Sequence, residues 1–95
     1  MENNFTFINE KDKYTLRIIL PNKLILVREN NEIINTMYFE QNKSISAIYT
    51  LKMNNISLDI NITTLSLEIK NNYIKVKYLV KDSEIEYEYY IGWSD

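Results

Sequence analysis

The sequence predicts an all-β fold: eight antiparallel strands in an up-and-down meander, rolled into a barrel or a partly open barrel. Three observations carry this reading. Apolar residues alternate with polar ones at a period of two. Asn-rich or Asp-Ser corners separate the alternating runs. An even-numbered meander can close its first strand onto its last, antiparallel, as an up-and-down barrel.

Leu24 to Phe39 shows the plan. Leu-Ile-Leu-Val-Arg and Ile-Ile-Asn-Thr-Met-Tyr-Phe flank an Asn30-Asn31 corner, the pattern of a hairpin with a two-residue loop. Ahead of it, Met1 to Asn3 should fray. Phe5 to Ile8 forms a first strand with Phe5 and Phe7 on one face. The polar stretch Asn9 to Lys13 turns the chain. Tyr14, Leu16, Ile18 and Leu20 give the inner face of a second strand. Pro21-Asn22-Lys23 ends it, because proline cannot continue a central ladder.

Glu40 to Lys43 is the next corner. Ile45, Ala47, Tyr49, Leu51 and Met53 then share the inner face of a fifth strand. Asn54-Asn55 is read as a tight turn pairing Met53 with Ile56, which sets Tyr49 opposite Ile60. After Ile62 the apolar phase slips from even to odd positions, so a β-bulge is expected at Thr63-Thr64. Asn71-Asn72 pairs Ile69 with Ile74. Asp82-Ser83 leads into a last strand with Ile85, Tyr87, Tyr89, Ile91 and Trp93 inward. Lys77 then faces Glu88, and Lys81 faces Glu84.

Composition narrows function. The 95 residues suit one domain spanning the whole chain, 45% hydrophobic and 25% charged. The formal charge of −2 offers little to a phosphate backbone. There is no Cys, hence no disulfide or thiolate site, and no His, the commonest general base and metal ligand. No cofactor or metal is expected. The N-terminus lacks the basic-then-apolar pattern of a signal peptide, and no apolar run reaches the length of a membrane helix. A cytoplasmic location is the expectation.

The run Lys23 to Arg28, then Met37-Tyr38-Phe39-Glu40-Gln41-Asn42-Lys43-Ser44, then Tyr49-Thr50, resembles the YwiB-like bacterial domain of unknown function. Leu58-Asp59-Ile60-Asn61-Ile62-Thr63-Thr64-Leu65 fits a strand of that family ending in Thr and continuing with Leu. Asn30 stands where the family usually carries Gly, and Leu51 to Asn55 replaces a Pro- and Gly-containing turn. The resemblance implies a calycin-like β-barrel and, by analogy with other calycins, binding of a small apolar molecule. It implies no known chemistry.

Candidate residues follow from the alternation. Arg28 continues the inner face of Leu24 and Leu26, opposite Ile33, while Asn35 lies opposite Leu26. An inward Arg needs a partner. It either binds an anionic or carbonyl group at a barrel mouth, or pairs with an internal carboxylate or reaches water. Tyr49, Tyr78, Tyr87 and Tyr89 either line a ligand cavity or fill the core. On the outer face, Ile19, Ile25, Val27, Ile34, Tyr38 and Ile48 form an unusually apolar set; the preferred expectation is cover by a second copy in a homodimer, the alternatives being a swapped register or cover by the N-terminal segment. Tyr73, Lys75, Lys77 and Tyr90 share an outer face, but Glu86 and Glu88 beside them argue against nucleic acid. No convergent carboxylate pair is visible, so no enzyme activity is expected. The favoured function is a self-associating, non-enzymatic binding module. The alternatives are a carrier of a small apolar ligand and a phage or mobile-element protein that blocks a host factor.

Overall fold

The computed structural model describes residues 2–93. Eight strands form one antiparallel sheet: β1 (Glu2–Asn9), β2 (Asp12–Ile19), β3 (Lys23–Glu29), β4 (Ile33–Glu40), β5 (Ser44–Leu51), β6 (Ile56–Ile69), β7 (Tyr73–Val80) and β8 (Glu86–Gly92). Their order in the sheet is their order in the chain. The sheet curls into a half-barrel; among the described residues no ladder joins β1 to β8.

The alternation sorts the side chains as expected. Leu16, Ile18, Leu24, Leu26, Met37, Phe39, Ala47, Ile62, Ile74, Val76 and Tyr78 form the buried cluster inside the curl. Phe5 and Phe7 pack against it from β1. That strand begins at Glu2, earlier than the expected fraying allowed; Met1 lies outside the described residues.

Several expected registers are corrected. Tyr49 faces Leu58 rather than Ile60, and Leu51 rather than Met53 meets Ile56. Only Asn55 takes a positive φ, so the Asn pair does not make the primed two-residue turn. The loop instead runs from Lys52 to Asn55, and Met53 is 96% exposed. In the β3–β4 hairpin Arg28 faces Asn35, and Leu26 faces Met37. The cause is local. Asn30 uses its side-chain oxygen to accept the amides of Glu32 and Ile33, which moves the corner to Asn31-Glu32. Each correction shifts pairing by two residues, so every side chain keeps its face.

Ile69 does face Ile74, and Lys77 does face Glu88. Glu84 precedes β8 and is not in a ladder with Lys81. Ile85, expected inside, is 61% exposed for the same reason. Leu20 likewise lies beyond β2 and is exposed.

The phase slip in β6 is a bulge, one step later than expected. Thr64 pairs with Tyr78 and Ser66 with Lys77, so Leu65 is the extra residue. The corner between β4 and β5 is fastened to this bulge. The buried Thr64 hydroxyl accepts the Glu40 amide at 3.3 Å. The Gln41 side chain donates to Leu65 O at 3.1 Å and accepts the Leu67 amide at 3.0 Å. Backbone groups loosened by the extra residue thus regain partners.

Candidate functional site

The connections divide between two ends of the half-barrel. Those between β2 and β3, β4 and β5, and β6 and β7 lie at one end; the other four lie at the opposite end. Arg28 sits toward the second end. Inward positions of β2 set Asp12 and Tyr14 beside it, and Tyr14 is its direct cross-strand neighbour. Its Nε lies 3.2 Å from Asp12 Oδ2. The charges pair, but the N–H is not aligned with the carboxylate, and the buried Nε has no hydrogen-bond acceptor. Asn30 Nδ2 donates to Asp12 Oδ1 at 2.8 Å and fixes the carboxylate. Burial opposes the guanidinium's charge, yet Asp12, the Tyr89 hydroxyl and Tyr14 outweigh it and hold Arg28 above its usual range.

Three of the four expected tyrosines, Tyr78, Tyr87 and Tyr89, gather across the curl from Arg28. Tyr78 is buried, and its ring stacks with Tyr87 at 5.5 Å and Tyr89 at 6.1 Å. It also leans on Phe39 at 5.3 Å. Burial, then the neighbouring Tyr89, pushes the Tyr78 phenol well above its ordinary value. Burial likewise raises Tyr14, with Tyr89 adding to it. Tyr49 and Asn35 are cross-strand partners on the same concave surface. Tyr49 reaches the rim, beside a depression that it shares with Ile33, Leu51 and Met53.

Behind this cluster the centre of the curl is closed by its own side chains. Leu16, Leu24, Leu26, Ile74 and Val76 have no exposed surface. Chemically the cluster offers a paired cation and, at Tyr14 and Tyr78, phenols held in the neutral form. Among the described residues no group of three or more His, Cys, Asp or Glu could hold a metal ion. Among the same residues no helix is long and apolar enough to cross a membrane.

The outer set comes together on the convex face. Ile25 lies opposite Tyr38, and Val27 opposite Thr36. Thr36 is followed across the sheet by Ile48, and Ile34 by Thr50. Ile19 closes the edge near Lys23. Ile48 is 38% exposed and the other five are partly exposed. Charged pairs bound the patch: Lys23 and Lys43 with Glu40 at one end, Lys52 with Glu29 at the other. The lysines draw both carboxyls below their usual range.

Sequence reasoning placed Asp12 in a turn and gave Asn30 only a place in the Asn30-Asn31 corner, not the hold on Asp12. The parity of Asp12 with Tyr14 and Leu16 was the available signal. Comparison of the chain with protein-family models, curated proteins and solved structures finds no match.

Proposed function

We propose that this protein is a non-catalytic binding and assembly module that pairs with a second copy through the convex face of β2 to β5. The observation that carries the reading is the row Thr15, Val27, Thr36 and Ile48, neighbours on four successive strands without a charge among them. With Ile25, Ile34 and Tyr38 it makes an apolar centre inside a charged rim, the anatomy of a protein interface. A solvated outer face would alternate to polar residues here. Both ends of the patch carry lysine and glutamate together, so a two-fold axis through its middle sets no like-charged blocks against each other.

Leu16, Leu24, Leu26, Ile74 and Val76 close the centre of the curl, which favours assembly over carriage of a small apolar ligand deep within it. The Asp12–Arg28 pair likewise accounts for the inward arginine without a ligand. The rolled meander is of the kind the YwiB-like, calycin-like resemblance implies, and the reading adopts that kinship.

Sedimentation equilibrium tests the proposal. The expected result is a concentration-dependent mass approaching twice 11.4 kDa, abolished by Val27→Lys. A monomer across the micromolar range would overturn it.

A further inference from the structure

The half-barrel leaves two strand edges facing each other. Among the described residues β1 is bonded only to β2 and β8 only to β7. About half the backbone amides and carbonyls of an edge strand point away from its one partner. Natural edges are commonly blunted by Pro, Lys or a bulge. Neither Glu-Asn-Asn-Phe-Thr-Phe-Ile-Asn nor Glu-Tyr-Glu-Tyr-Tyr-Ile-Gly contains Pro or Lys, and both ladders run without a register shift.

The floor between these edges is apolar. Phe5 and Trp93 meet across it, ring centroids 4.8 Å apart. A slot of about 320 Å³ is lined by Phe5, Phe7, Leu16, Ile91 and Trp93. Toward the Arg28 end it is continued by a second of about 280 Å³, between Phe7 and Tyr14 on one side and Tyr89 and Ile91 on the other. Among the described residues no ladder engages the outer edge of β1 or of β8, and two such edges over an apolar trough match an extended polypeptide, whose side chains alternate between floor and solvent.

The solvent side sets the charge of that polypeptide. Glu86 and Glu88 point outward from β8, with Glu84 just before it; Lys77 lies opposite Glu88 and Lys75 pairs with it at 3.7 Å, while among the described residues no ion pair engages Glu86. The occupant's outward positions are therefore basic. The chain's own edge strands contain no Lys or Arg, so a second copy lacks that complement. We infer that the seam between β1 and β8 accepts one extended peptide strand from a partner protein, alternating apolar with basic residues.

Trp93, the only tryptophan, reports on the seam directly. The probe is an acetylated heptapeptide alternating lysine with valine or isoleucine, titrated while Trp93 emission is followed. The expected result is saturable binding, weakened about tenfold when alternate backbone amides are N-methylated. E86K/E88K, both on the exposed face, should weaken it by about as much and admit the glutamate version of the peptide. Three results would overturn the inference: no saturable change at millimolar peptide, equal binding of the methylated form, or equal binding of a scrambled peptide that does not alternate. Emission that shifts with protein concentration alone would also overturn it, by placing a second copy in the seam.

Discussion

The two ends of the half-barrel share one sequence pattern and differ in how it is used. Around the Gln41 corner, Leu24, Phe39 and Ile74 are at most 1% exposed. At the opposite end the same alternation leaves Ile56 at 49%, Leu58 at 52% and Tyr87 at 42%. The first half of β6 causes the difference. Pairing with β7 starts only at Ile62 opposite Val80, so Ile56 to Ile60 have β5 on one side and no ladder on the other. Alternation determines which way a side chain points. Burial also needs a neighbouring strand long enough to reach it.

That contrast can be broken by truncation at each end. Phe39→Ala should cost about 3–5 kcal/mol in urea unfolding, whereas Leu58→Ala should cost below about 1 kcal/mol. Equal losses would mean that the second end is as tightly packed as the first. Next in size is Thr64→Val, which removes the acceptor of the Glu40 amide in a buried corner. A loss of about 1–3 kcal/mol is expected, and no change would show that the β4–β5 corner does not depend on β6.

The Arg28 cluster belongs to the looser end, and a double-mutant cycle on Asp12→Asn and Arg28→Met sharpens that placement. A coupling of about 0.5–1 kcal/mol is expected for a part-exposed pair. Glu10 holds a φ of 59° that costs a side chain, so Glu10→Gly should stabilise by up to about 1 kcal/mol in the same unfolding assay.

A pH series probes both ends, in opposite directions for the phenol and the carboxyls. The Tyr78 phenol is raised on folding, so its contribution is fully present below the unfolded value near 10 and is lost as pH climbs from there through the folded value. Stability should therefore fall in alkali, and Tyr78→Phe should flatten that fall. Glu29 and Glu40 act in the other direction. Their depressed values contribute above the ordinary carboxylate range, and that contribution is lost as pH drops through the folded values.

Strand number, order and facing were legible in the sequence because each depends on a period of two and on corner residues. Registers were less so. Asn30-Asn31 and Asn54-Asn55 both look like two-residue turns, yet a side-chain oxygen in one and a longer loop in the other moved each pairing by two. The Arg28–Asn35–Tyr49 row could be seen only after that shift. Asp12 escaped because its polarity suggested a turn. The Gln41 clamp escaped because it joins residues 24 and 26 apart in the chain, a relation no local pattern carries.

Because every ladder joins consecutive strands, the chain can assemble by zipping one hairpin onto the last. Bonding β1 to β8 would add contacts spanning nearly the full length of the chain, whose loop-closure entropy slows β folding. Leaving that join unmade keeps contact order low, so refolding should be fast for an all-β protein of this size.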